Sequence, residues 1–156
     1  MAKFDAIVAV LLSLCLLASA VQGRTTKVTY CDKKANYDVK VGGVDITPYP
    51  VSGGHPATFS ISATAGETIT GGQVVIDVSY FGLHVHSETI DLCKETSCPV
   101  SAGDFVIAHS QVLPGFTPPG SYSLKMKIED ENNHPLTCIG FQFSIGVGSE
   151  SDVASI

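Results

Sequence analysis

Along most of the chain, apolar residues recur at every second position. In Ala57-Thr-Phe59-Ser-Ile61-Ser-Ala63 the alternation is unbroken. Val74, Ile76, Val78 and Tyr80 alternate with Gln73, Val75, Asp77 and Ser79. Tyr122, Leu124, Met126 and Ile128 alternate with Ser121, Ser123, Lys125, Lys127 and Glu129. Ile139, Phe141, Phe143, Ile145 and Val147 alternate with Cys138, Gly140, Gln142 and Ser144. A period of two places successive side chains on opposite faces of a strand, so each segment is expected to bury one face and wet the other. Less regular strands are expected over Val39–Ile46, Leu83–Leu92 and Phe105–Leu113.

Turn chemistry punctuates these runs: Gly42-Gly43, Gly53-Gly54, Gly71-Gly72, Pro118-Pro119-Gly120 and Glu131-Asn132-Asn133-His134-Pro135. No stretch beyond the N-terminal run combines a helical period with caps. About seven short strands with such turns predict an all-β fold, a single immunoglobulin-like antiparallel two-sheet β-sandwich.

One segment breaks the alternation. After the basic start Met1-Ala2-Lys3, residues Ala6 to Ala18 form an almost unbroken apolar run. Ala18-Ser19-Ala20 then fits an A-x-A cleavage site, with Val21-Gln22-Gly23 offering a second one. The run is too short to cross roughly 30 Å of hydrocarbon, so residues 1–23 are expected to be a secretory signal peptide, an uncleaved anchor being the alternative. The tail from Gly148 to Ile156 is polar and carries neither a lipid-anchor signal nor a retention tetrapeptide. Residues 24–156 are therefore expected to form one soluble domain in the secretory pathway, extracellular or in a vacuole or lysosome lumen.

Composition narrows the partners. The 156 residues are 44% hydrophobic and 15% charged, with 9 Lys and Arg against 15 Asp and Glu and a net charge of −6. The apolar content excludes a disordered polyelectrolyte. The acidic balance excludes nucleic acid as a partner, since phosphate contacts need clustered basic residues. Lys3 and Asp5 cancel, so loss of the leader leaves the charge unchanged.

Cys15 lies in the leader, leaving Cys31, Cys93, Cys98 and Cys138. An even number in an oxidising compartment predicts two disulfides, for which three pairings exist. Only Lys94-Glu95-Thr96-Ser97 separates Cys93 from Cys98, short enough to close a local loop. Cys31 would then join Cys138 and tie the first strand to the last. A zinc site is the rival reading, but the spacing contains no C-x-x-C pair.

Catalytic motifs are absent: there is no G-x-S-x-G elbow, H-E-x-x-H helix or phosphate loop. His84 and His86, two residues apart on an expected strand, should share one face. Asp77, Glu88 or His109 could complete a metal site with them, and this pair is the basis of an alternative reading as a metal-dependent enzyme. His55 and His134 each precede a proline in a turn and read as surface residues. The Glu129-Asp130-Glu131 cluster reads as a solvated hairpin tip. No cofactor is expected.

The ordered set Cys93-x4-Cys98-Pro99, Leu113-Pro114, Pro119-Gly120-Ser121-Tyr122 and Leu136-x-Cys138 resembles the ML lipid-recognition domain. Upstream, Cys31 and Ile46-Thr-Pro48-x-Pro50-Val51-x-x-Gly53-Gly54 fit the same pattern. The resemblance spans essentially the whole chain after the leader. It is strongest to the phosphatidylglycerol/phosphatidylinositol transfer protein-like branch, which is similar to the lumenal Niemann–Pick type C sterol-transfer protein. Membership implies two sheets parted at one edge around a lipid, no catalysis, and the Cys31–Cys138 and Cys93–Cys98 pairings. Two departures stand out. The third, early disulfide of the sterol carrier has no counterpart here, and Leu83-His84-Val85-His86 replaces a Pro- and aromatic-rich mouth.

Inward side chains of two sheets about 10 Å apart normally interdigitate. A chain without Trp, whose inward positions are often Val, Ile, Ala and Thr, could underfill that gap if the sheets splay. Following the resemblance, Val85, Val112, Phe116 and Tyr122 are expected around the mouth of a lipid cavity. Ile76, Val78, Leu124, Met126, Phe141 and Phe143 are its candidate walls. The expected ligand is a phospholipid such as phosphatidylglycerol or phosphatidylinositol, or a sterol, with transient membrane contact. A lipid-sensing co-receptor that presents the lipid to a membrane-protein partner is the alternative within binding modules. Lys125 and Lys127 share an outer strand face that could meet headgroups or a partner.

Overall fold

The computed structural model describes residues 21–147; most of the expected leader, and the polar tail from residue 148, lie outside the described residues. Nine strands follow in chain order: β1 Arg24–Thr26, β2 Thr29–Tyr30, β3 Val39–Thr47, β4 Pro56–Ala65, β5 Gln73–Tyr80, β6 Leu83–Asp91, β7 Gly103–Val112, β8 Gly120–Glu129 and β9 Pro135–Ile145. One helical turn, α1 Leu92–Glu95, follows β6. The strands form two sheets, ordered β1-β3-β4-β7 and β2-β9-β8-β5-β6, with every neighbouring pair antiparallel.

The seven strands expected from the sequence are β3 to β9. Their alternation becomes burial: Ala57, Phe59, Ile61, Ala63 and Ala65 on β4 face Tyr122, Leu124, Met126 and Ile128 on β8 across one core. Val147, expected to continue the buried face of β9, lies beyond the strand's end and is exposed. The helical turn α1 was not expected. It is only four residues long, and the Asp91 carboxylate caps it by accepting from the Cys93 N–H at 2.8 Å.

The two lateral edges of the sandwich differ. At one, the chain crosses from β1 in the first sheet to β2 in the second within two residues. The Cys31–Cys138 disulfide, with Cα atoms 5.4 Å apart, staples that edge to β9. At the other, β6 and β7 are the outer strands of different sheets and share no ladder. They are fastened at one end only, by the α1 crossover, the Cys93–Cys98 disulfide and paired backbone hydrogen bonds between Ile69 and Val100.

The acidic cluster is not merely solvated. Glu129 is buried, accepting from Gln73 Nε2 at 2.6 Å and pairing with Lys127. The bond from Lys127, then that from Gln73, holds its carboxyl below the usual glutamate range. Asp130 accepts from the Asn132 and His134 N–H groups and so shapes the β8–β9 turn.

Candidate functional site

Between the unfastened ends of β6 and β7 the sheets part around a cavity of about 520 Å³, within the roughly 300–1,000 Å³ usual for ligand pockets. Its inner wall is apolar. Ile76 and Val78 of β5, Leu124 of β8 and Phe143 of β9 face Phe59 of β4 across it. Val85, Val112, Phe116 and Tyr122 border it nearer the outside. Eight of the ten expected lining residues therefore meet at one space. Met126 and Phe141 do not reach it; they line a separate void of about 20 Å³ deeper in the sandwich, and Phe59, Ile76, His109 and Leu124 border both spaces. Tyr80, Leu113, Pro114 and Ile145 also line the cavity, although the sequence reading did not single them out for it.

An aromatic row runs from the core to the mouth. Phe59 meets Phe143 edge-on at 5.4 Å, Phe143 stacks on Tyr122 at 5.6 Å, and Tyr122 stacks on Tyr80 at 4.5 Å. Tyr80 in turn meets Phe81, which is 84% exposed at the β5–β6 turn. The two tyrosine hydroxyls hold the far side of the mouth: Tyr80 donates to the Pro119 carbonyl at 3.0 Å and Tyr122 to that of Pro118 at 2.8 Å. Burial pushes the Tyr122 phenol up, with Tyr80 adding to the effect, so it stays a neutral donor. In the 113–119 loop the Thr117 N–H donates to the Pro114 carbonyl, closing a turn that presents Phe116, 87% exposed. Leu83 and Val112 are also exposed. Neither the 79–83 turn nor the 112–121 stretch carries a charged residue.

The histidine pair behaves differently from expectation. On β5 the register steps from Val78 to Ser79 while on β6 it steps from His86 to His84, so Val85 is the extra residue of a β-bulge. The bulge turns His84 and His86 to opposite faces. His84 lies on the outer face, bonded to Ser87 at 3.0 Å and 3.6 Å from Asp77. His86 faces the cavity, 3.7 Å from Glu88. His109, a third residue offered to complete the site, donates from Nδ1 to the Glu95 carboxylate of α1 at 3.1 Å. Among the described residues no group of three His, Cys, Asp or Glu side chains could hold a metal ion, and the geometry behind the metalloenzyme alternative is lost.

The inward polar residues His86, Glu88, His109 and Gln111 were not predicted as lining. Their signal was available: they sit at inward parity on the strands whose alternation was least regular.

A two-layer sandwich stapled at one edge and parted at the other around an apolar space defines a carrier of apolar small molecules. Residues 25–145 match the family described as the ML domain. A Dictyostelium discoideum protein provisionally named as a phosphatidylglycerol/phosphatidylinositol transfer protein is 36% identical over 117 residues, covering 72% of this chain and 81% of its own. The phosphatidylglycerol/phosphatidylinositol transfer protein of Aspergillus oryzae is 28% identical over 116 residues, covering 70% and 66%. Two solved structures share the fold. A Niemann–Pick type C2 protein from the Japanese carpenter ant superposes with a TM-score of 0.53 at 14% identity, covering 83% of this chain and 96% of that one. Chicken MD-1, solved with lipid IVa, superposes with a TM-score of 0.51 at 15% identity, covering 80% and 98%. The chain belongs to the ML domain family.

Proposed function

We propose that this protein binds one lipid, a phospholipid or sterol, in the inter-sheet cavity and carries it between membranes without changing it chemically. The cavity itself is the observation that carries the reading. The apolar wall faces an open space instead of a packed core, and each methylene of a guest that leaves water to cover it contributes about 0.8 kcal/mol. The names of the Dictyostelium and Aspergillus relatives support phosphatidylglycerol or phosphatidylinositol as the cargo. Ile76, Val78, Leu124 and Phe143 are the proposed chain-binding wall, with Val85, Val112, Phe116 and Tyr122 at the mouth. The two disulfides support the secretory compartment, and with it removal of the leader.

Native mass spectrometry after incubation with phospholipid and sterol vesicles tests the proposal. The expected result is a stoichiometric lipid adduct. Val78, only half-buried because it borders the cavity, can be enlarged: Val78→Phe should reduce capture at least tenfold with an equal or higher melting temperature. A clean apo mass from the wild-type protein would overturn the reading.

A further inference from the structure

The cavity wall is apolar on the four strands behind it and polar on the two that part. On β7 the inward positions read Ile107, His109, Gln111, and then Leu113 just beyond the strand. On β6, from the fastened end, they read Ile90, Glu88, His86. Both strands are thus apolar at the fastened end and turn polar only alongside the cavity. Stability alone would favour hydrophobic residues there, because a buried polar group must be satisfied to break even. His109 and Glu95 show the cost being met by pairing, at 3.1 Å with side chains only 14% and 12% exposed. Glu88 and Gln111 are half-buried against the same space.

The donor set specifies a chemistry. A carboxylate that accepts, an amide that both donates and accepts, and two imidazoles surround this side of the cavity, and among the described residues no Lys or Arg lines it. A hydroxyl group, at once donor and acceptor, matches such a set. A phosphate recognised by charge would need a fixed cation.

We propose that the slit between β6 and β7 is a headgroup subsite that selects hydroxyl-bearing lipids, with Glu88 and Gln111 bonding the hydroxyls while the acyl chains occupy the apolar space. This rests on the carrier reading above. The hydroxyls can come from a polyol phospholipid or from an uncharged lipid.

Competitive loading separates these cases when the acyl chains are held constant. Vesicles would offer equal amounts of phosphatidylglycerol, phosphatidylinositol, diacylglycerol, phosphatidic acid and phosphatidylcholine, with the captured lipids counted by mass spectrometry. The expected order places the lipids with carbon-bound headgroup hydroxyls above phosphatidic acid and phosphatidylcholine. One net hydrogen bond predicts a preference of about two- to tenfold. Enrichment of diacylglycerol alone would assign the site to neutral lipids, and enrichment of the two polyol phospholipids would assign it to theirs; both support the subsite. Glu88→Leu and Gln111→Leu should each lower the ratio of hydroxyl-bearing lipid to phosphatidylcholine captured, with a melting temperature equal to or above that of the wild type. Glu88→Gln, whose amide oxygen still accepts, should keep the preference even if a leucine variant fails to fold.

Capture that follows charge, or shows no preference, would overturn the subsite and leave the carrier reading standing. Failure to capture any lipid would overturn both. Leucine variants that associate into larger species yet retain the preference would assign these residues to guarding the open sheet edges, and would also overturn the subsite.

Discussion

Replacing Phe116 separates a surface that meets membranes from one that holds the fold together. Its side chain is 87% exposed on a turn closed by the Pro114–Thr117 backbone bond, so folding removes little of it from water. Phe116→Asp should therefore change stability by no more than about 0.5 kcal/mol, as for surface substitutions in general. That corresponds to about 1–3 °C in melting temperature for a domain of this size. Docking is a different matter. Burying a phenylalanine side chain fully is worth about 1.5–3 kcal/mol. If Phe116 enters the bilayer when the mouth docks, Phe116→Ala should weaken vesicle association by roughly ten- to a hundredfold, and aspartate should weaken it further. Phe81, 84% exposed at the β5–β6 turn against Tyr80, should behave in the same way. Vesicle flotation would measure association, and transfer of a fluorescent phospholipid between donor and acceptor vesicles would measure delivery. Unaltered flotation and transfer by Phe116→Asp would refute docking through the mouth. A fall in melting temperature beyond about 5 °C would refute the premise that this ring carries no folding load.

Three further outcomes follow from the fold. Serine substitution of the Cys31–Cys138 pair opens a loop spanning a sequence separation of 107, against 5 for Cys93–Cys98; chain entropy puts the losses at about 4.7 and about 2 kcal/mol, so urea midpoints should fall much further for the first. Glu129 has a folded pKa below its unfolded value near 4.3, so its contribution is present above that pH and drains away as pH falls through the folded value. A melting-temperature profile between pH 2 and 5, taken as an approximate window, should be flatter in Glu129→Gln than in wild type. Thr137 is fully buried with its hydroxyl unbonded, and Thr137→Val should stabilise by about 1 kcal/mol in chemical denaturation.

What the sequence reveals depends on how many residues express a rule. Strands β4, β5, β8 and β9 are each eight residues or longer, and most of their buried face was readable; Cys138, placed on the wet face of β9, is instead buried. β1 and β2, at three and two residues, are too short for any period to show. The disulfide pairs were readable from spacing because one loop is so short that it selects its own partner. The faces of His84 and His86 were not readable, because one inserted residue at Val85 inverts the parity and Leu83-His84-Val85-His86 carries no turn residue to mark it.

The cavity poses a subtler case, since empty space leaves no residue behind. Leu124 and Met126 sit two apart on the same inward face of β8, yet Leu124 reaches the cavity as well as the small void beneath, and Met126 reaches only the void. Nothing in their pattern distinguishes them. What did register was irregularity. The three least regular segments became β3, β6 and β7, and β3 is irregular for a local reason, a bulge between Val41 and Gly43. β6 and β7 are irregular because Glu88, His86, His109 and Gln111 occupy inward positions where a closed sandwich would place hydrophobes. A broken alternation on two strands distant in sequence, both at edges and both polar on the inner side, is what a sandwich shows when its sheets part there. The departures from the hydrophobic rule therefore trace the opening, and the residues that keep the rule trace the wall behind it.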